Sequence, residues 1–241
     1  MTKRTDQIRV LLKGIESGDP AAVAVVNQSK YIQHNPQTHE GGEGLAALFK
    51  RISKSSPHVN IVRAFQDGDF VFAHTEYDFA TRKIGFEVFR FEGEQVVEHW
   101  DNIQERKGPN SAGYTMVDGQ REVGDTGLTE ANRELVSSFV RDVLIGQDVD
   151  LFRKFIDVEN YTEYGPVVGL ADKVSSMNYE RTHRVLAEGD FVLTVNEGTN
   201  NGVHTSFYDL FRVAGAMIVE HWDTIEAIAP KSSWKNDNRK F

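Results

Sequence analysis

The chain has no cysteine, which excludes disulfides, thiolate zinc sites and cysteine nucleophiles, and fits a reducing, cytoplasmic setting. Basic charge is in short supply. The 27 Lys and Arg residues stand against 36 Asp and Glu, for a formal net charge of −9. That balance argues against nucleic acid as a partner, because binding a polyanion rests on Lys and Arg neutralising phosphates. No segment approaches the roughly 18 consecutive apolar residues that a membrane span needs. The first stretch, "MTKRTDQIRVLLKGIESGDP", interleaves Ile8, Leu11, Leu12 and Ile15 with charge. It reads as an amphipathic helix and not as the apolar core of a signal peptide. A soluble protein away from membranes is expected.

What is present is ordinary globular composition, 39% hydrophobic and 26% charged over 241 residues, room for one large domain or two of about 120. A repeat decides between them. "VVEHWDNIQ" runs from Val96 to Gln104 and "IVEHWDTIE" from Ile218 to Glu226, with Trp100 and Trp222 offset by 122. "GDFVFAHTEY" at Gly68 is echoed by "GDFVLTVNEG" at Gly189, and "YIQHNP" at Tyr31 by "YTEYGP" at Tyr161. Block order is kept, which indicates a tandem duplication of one domain. The second copy is shorter between Pro166 and Gly189, where the first carries "GLAALFKRISKSS".

In each copy the pattern predicts helices first: Thr5–Ser17, a short helix from Pro20 and a third over Leu45–Ser53, then Thr129 to about Ile145 with Gly146 as a stop. "EGGEG" (Glu40–Gly44) lacks the strand and Lys-Ser/Thr of a phosphate loop, and reads as a turn before the third helix. Strands are predicted at Asn60–Phe65, Phe70–Phe79, Ile84–Phe91 and Val96–Gln104. Helices followed by antiparallel strands give an α+β domain, with the sheet curling over the helices. The boundaries read as 1–112 for the first domain, 113–125 for a polar, Gly-rich linker and 126–241 for the second.

"GFEVFRFEGEQVVEHWD" reads as a hairpin. A three-residue turn at Glu92–Glu94 would set Glu87 opposite His99. Alternation would place Glu87, Phe89, Phe91, Val97, His99 and Asp101 on one face, and Arg90, Glu98 and Trp100 on the other. In the second copy Asp209 would face His221, with Asp223 beside it. The first face thus carries an acid–imidazole–acid set on apolar ground. The second carries a diagonal Arg90–Glu98 pair and a Trp suited to packing.

These blocks, "YIQHNP", "GDFV", "FR..G..VEHWD" and helices before sheet, resemble the SnoaL-like polyketide cyclase branch of the nuclear transport factor two-like superfamily, in two tandem copies. The resemblance implies two cone-shaped domains, each of three helices packed on a curved, mostly antiparallel sheet around one apolar cavity. It also implies a small apolar ligand, pairing between the two copies and a possible homodimer. In SnoaL-like cyclases an aspartate late in the sheet is the acid/base, with no metal or cofactor. Asp101 matches it, as does Asp223 in the second copy. In related epoxide hydrolases a polar residue of the Tyr-containing block stands beside that aspartate, and His34 matches it, although their Asp–Arg–Asp pattern is not evident. In the second copy "HN" becomes "YG" (Tyr164, Gly165), which points to a degenerate pocket there.

Two functional readings follow. In the first, Glu87 fixes the ring of His99, Asp101 and His34 act as base and acid on a carbonyl compound, and Tyr31 supports an enolate oxygen. The reaction would be an aldol-type cyclisation, isomerisation or dehydration. In the second, Glu87–His99 is a satisfied buried pair, Tyr31 and Tyr161 are core residues, and the protein is a non-catalytic binding or assembly module. A metal site at His34, His99 and Asp101 has no closely spaced ligand motif behind it. His39, His58, His74, His183 and His204 read as surface or strand residues.

Overall fold

The structure, a computed structural model, describes residues 3–166 and 176–241. The chain divides into two units. One comprises Met1–Glu105 together with Ala229–Phe241, and the other Arg106–Ile228. No helix among the described residues is long and apolar enough to cross a membrane.

In the first unit, α1 (Arg4–Ser17) is followed by a 3-10 turn (Pro20–Val25), a two-residue strand β1 (Ile32–Gln33) and α2 (Gly41–Ile52). Strands β2 (His58–Asp67), β3 (Phe70–Asp78), β4 (Arg82–Glu92) and β5 (Gln95–Glu105) complete it. The sheet order is β1-β5-β4-β3-β2, with β1 parallel to β5 and the other neighbours antiparallel. In α1, Ile8, Leu11, Leu12 and Ile15 share one stripe and are buried, as a 3.6-residue period requires. Gly18 ends the helix in the left-handed region (φ 67), its N–H returning to the Gly14 carbonyl. Helix α2 begins at Gly41, earlier than the expected Leu45. Its glycines weaken the sequence signal, while Glu43 in the first turn and Lys50 and Arg51 in the last suit the helix dipole. Leu45 and Phe49 of α2 join the α1 stripe against Val71, Ala73, Phe89 and Phe91 of the sheet. Each such side chain contributes about 1.5–3 kcal/mol on burial.

The second unit repeats the arrangement. After α3 (Thr129–Phe139) the helix widens into a π-type turn, Val140–Ile145, and stops at Gly146. A short helix α4 (Phe152–Phe155) precedes β6 (Thr162–Glu163). Then come β7 (Met177–Glu188), β8 (Phe191–Asn200), β9 (Val203–Ala214) and β10 (Met217–Ala227), in the order β6-β10-β9-β8-β7. The shortened third helix read from the sequence falls on 167–175, outside the described residues.

The boundaries differ from the sequence reading in three places, and residues 106–112, assigned there to the first domain, fall in the second unit. Residues 229–241, assigned there to the second domain, group with the first unit. The stretch taken as a linker, 113–125, belongs to the second unit. It buries Met116 and Val117, and its Asp118 carbonyl accepts from Trp222 Nε1 at 2.9 Å. Two apolar residues among polar ones anchor it, too few to leave a periodic signal.

The hairpin register also differs. The turn holds two residues, Gly93 (φ 62) and Glu94, because Glu92 pairs with Gln95. A β-bulge at Val97 then adds one residue to β5, since Phe91 pairs with Val96 but Arg90 with Glu98. Beyond the bulge the shorter turn and the extra residue together move each partner by two positions, which leaves Glu87, His99 and Asp101 on one face, while Val96 and not Val97 joins the core cluster. Glu87 therefore lies opposite Asp101, and Phe89 opposite His99. The second copy bulges at Val219, so Asp209 lies opposite Asp223 and Phe211 opposite His221.

Candidate active site

Four strands meet at the site. Strand β5 supplies His99 and Asp101, β4 Glu87, β3 Tyr77, and β1 with its flanks Tyr31, Gln33 and Asn35, all lining one cavity of about 170 Å³. The rest of the wall is mainly aliphatic and aromatic, from Leu11 and Ile15 of α1, Leu45 and Phe49 of α2, and Phe89.

Glu87 reaches diagonally to His99, with Oε2 2.8 Å from the ring Nε2. Tyr77 donates its hydroxyl to the other oxygen, Glu87 Oε1, at 2.7 Å. On the far side of the ring, His99 Nδ1 meets Gln33 Oε1 at 3.0 Å. That same oxygen accepts from the Asn35 backbone N–H at 2.8 Å, so the amide is held oxygen-first and Nδ1 is a donor. One proton then serves the Nε2–Glu87 bond. Both ring nitrogens are committed, which makes His99 an organiser of the site.

Asp101 is arranged differently. Its Oδ2 accepts from Asn35 Nδ2 at 2.6 Å. Its Oδ1 accepts no hydrogen bond among the described residues, with the ammonium of Lys240 3.5 Å away. Tyr31 is buried, and its hydroxyl accepts from Gln33 Nε2 at 3.3 Å. Burial, reinforced by the charges of Asp101 and Glu87, pushes the Tyr31 phenol well above its ordinary value. Burial and Glu87 do the same to Tyr77. Both stay neutral donors.

Of the residues singled out in the sequence, Asp101, His99, Glu87 and Tyr31 come together. His34 does not. Its ring stacks on Trp100, centroids 4.6 Å apart, and its Nε2 meets Glu98 Oε1 at 2.9 Å. Its Nδ1 donates to the Arg239 carbonyl. His34 therefore lies on the opposite face of β5, with Glu98 and Arg90, which pair directly across the strands at 2.7 Å. The physical reason is alternation: Gln33 pairs with His99 in the parallel ladder, so Gln33 and Asn35 point inward and the residue between them points out. The sequence reading missed Gln33 and Asn35, although period two through "YIQHN" marks them once Tyr31 is set inward. It also missed Tyr77, which carries no local motif.

The second copy explains His34. Tyr164 holds the same place, stacked on Trp222 at 4.8 Å with its hydroxyl on Glu220 Oε1 at 2.8 Å. Ring stack and glutamate bond survive the exchange of His for Tyr, so this position serves packing and says nothing about the pocket. Inside the second unit, His221 is bracketed by two carboxylates, Glu163 at 2.8 Å and Asp209 at 3.1 Å. Gly165, in the place of Asn35, offers no amide to Asp223.

The nitrogen and oxygen atoms of Glu87, His99 and Asp101 lie within 4.8 Å of one another. A cation there would compete with the bonds that occupy both nitrogens of His99 and with the Lys240 ammonium. His34, on the other face, cannot complete the two-histidine set considered from the sequence.

Residues 8–99 match the family model of the SnoaL-like domain. No curated protein matches the chain. Among solved structures, TsrD from Streptomyces laurentii is similar at 17% identity and a TM-score of 0.38, over 43% of this chain and 91% of its own. IdmH, a candidate polyketide cyclase from Streptomyces antibioticus, is similar at 16% identity and 0.38, over 43% and 93%. An NTF2-like protein of unknown function from Cytophaga hutchinsonii gives 13% identity and 0.38, over 43% and 92%. With the family match over residues 8–99 and the same strand order in both units, the first unit is a SnoaL-like domain and the chain carries this α+β fold in tandem.

Proposed function

We propose that the first unit is a cofactor-independent acid/base enzyme that removes a proton next to the carbonyl of a small apolar substrate, as an aldol-type cyclase, isomerase or dehydratase. The observation that carries this reading is Asp101. It is a carboxylate 4% exposed, whose Oδ1 accepts no hydrogen bond among the described residues, in an otherwise largely apolar cavity. A buried carboxylate oxygen that accepts no hydrogen bond is a base without a hydration shell to shed.

In the reaction, Asp101 Oδ1 takes the α-proton and the electron pair of that C–H bond moves to the carbonyl oxygen. Tyr31, kept neutral by burial, donates its hydroxyl to the developing enolate. Returning the proton to a conjugated carbon completes an isomerisation. Attack of the enolate carbon on a second carbonyl completes an aldol closure. Glu87, His99 and Gln33 hold the floor of the site rigid. A cavity of about 170 Å³ amounts to roughly ten water-sized spheres, so the substrate, or its reacting portion, has on the order of ten non-hydrogen atoms. The exchange of Asn35 for Gly165 favours the first copy as the working one. We place the enzyme in the cytoplasm, in keeping with a chain without cysteine.

Conversion of 3-cyclohexenone to its conjugated isomer, followed by ultraviolet absorbance, tests the reading. Wild-type protein should accelerate it, and Asp101→Asn should lower kcat by about 10²-fold or more. Tight binding of the ketone with no turnover would favour a binding module instead.

A further inference from the structure

The segment 229–241 enters the first unit from far along the sequence and fastens onto the stretch that carries Gln33 and Asn35. Asn236 Nδ2 donates to the carbonyls of Asn35 and Thr38 at 2.8 and 2.9 Å. Asn238 Nδ2 donates to the Gln33 carbonyl at 2.8 Å and to Glu40 Oε2. The Lys235 N–H donates to the Pro36 carbonyl at 2.8 Å. The segment ends its run with Lys240, 4% exposed, whose Nζ donates to the Asp101 carbonyl at 2.8 Å and lies 3.5 Å from Asp101 Oδ1. These anchors land on residues 33–40, beside the short strand β1, and on Asp101 of β5.

We propose that segment 229–241 is a working part of the first unit's site, with Lys240 a positioning residue whose ammonium, bonded to the Asp101 carbonyl and set beside its Oδ1, fixes the orientation of that carboxylate at the cavity wall. The need for it follows from the register. Asp101 lies directly across the strands from Glu87, and two buried carboxylates so placed repel each other, a repulsion that a cation beside one of them offsets. The charged and titratable groups around Asp101 are Glu87 from β4, His99 from β5, Tyr77 from β3, Tyr31 before β1, Arg51 from α2 along the cavity wall, and Lys240. His99 is committed to Glu87, and Lys240 is the cation whose ammonium contacts Asp101 among the described residues. The tandem arrangement thereby acquires a use: the stretch that follows the second copy's last strand braces residues that line the first copy's pocket.

The inference rests on Asp101 being the base, and the test separates the two claims. In the full chain, Lys240→Met and Lys240→Arg are assayed with 5-nitrobenzisoxazole. Its ring opening needs only a base: the C3 proton leaves as the N–O bond breaks, and the electron pair ends on a nitrophenolate read by absorbance. Lys240→Met should lose about tenfold in kcat with KM little changed, as a misoriented base does. Lys240→Arg should stay within about threefold of wild type, because the positive charge is kept. An unchanged Lys240→Met, or a loss carried by KM alone, overturns the inference while leaving the base reading intact. If wild type shows no turnover dependent on Asp101, the base reading falls, and the carboxyl carbon of Asp101 followed by NMR decides on Lys240. A carboxyl resonance displaced in Lys240→Met and restored in Lys240→Arg supports the pairing, and one left in place refutes it.

Discussion

Glu87 and Asp101 face each other across β4 and β5 as two buried carboxylates, and each has its own set of partners. Glu87 is held by His99 and Tyr77, Asp101 by Asn35 and Lys240. The division assigns roles. The Glu87 side has its polar atoms bonded, and the Asp101 side keeps one buried oxygen that accepts no hydrogen bond among the described residues.

The Glu87–His99 pair should behave as a buried ion pair that is costly to break. Removing one partner strands the other away from water, so His99→Ala should cost about 3 kcal/mol of stability. Arg90→Ala, at a pair partly open to solvent, should cost about 1 kcal/mol or less. Urea denaturation of the two variants checks the contrast, and equal losses would deny it.

His34→Tyr should transplant the second copy's arrangement into the first. The stack on Trp100 and the bond to Glu98 would be rebuilt as Tyr164 builds them on Trp222 and Glu220. Stability should stay within about 1.5 kcal/mol of wild type, and ketone turnover should persist. Loss of turnover with the fold intact would return His34 to the chemistry.

Gly85 sits where Tyr77 leans in toward Glu87. A Cβ there would lie 2.6 Å from Glu87 Oε1 and 2.7 Å from both Thr75 Oγ1 and Tyr77 Cε2. Gly85→Ala should therefore push the phenol off the carboxylate and cost about 1–3 kcal/mol, as overpacking does. Thermal unfolding reads the loss, and an unchanged melting temperature would contradict it.

Four of the seven tyrosines, Tyr31, Tyr77, Tyr161 and Tyr179, are held well above their ordinary value, with burial the largest cause. The sign is fixed by linkage. Below the unfolded value near 10 the phenols are protonated in both states, and their contribution is fully present. Above it the unfolded chain releases protons that the folded chain retains, so stability falls as pH rises toward the folded values. Absorbance titration should show these four phenols silent at about pH 11, ionising only with unfolding.

The fold was legible because it is written twice. Doubled blocks gave the duplication, and period-two alternation put Glu87, His99 and Asp101 on one face. The turn and the Val97 bulge were not legible, since a bulged strand keeps its composition; their effects on register left the face right and the partner wrong. His34 was misplaced because a family position was carried over without following alternation through β1. Lys240 left no signal at all: a lysine 139 residues from Asp101 in sequence joins the site only through the fold.

The most direct test of the account is deuterium exchange at the α-carbon of cyclohexanone, followed by NMR, in wild type, Asp101→Asn and Asp223→Asn. The account predicts exchange above the buffer rate in wild type and in Asp223→Asn, falling to the buffer rate in Asp101→Asn. Wild-type exchange surviving in Asp101→Asn, or vanishing in Asp223→Asn alone, would contradict it.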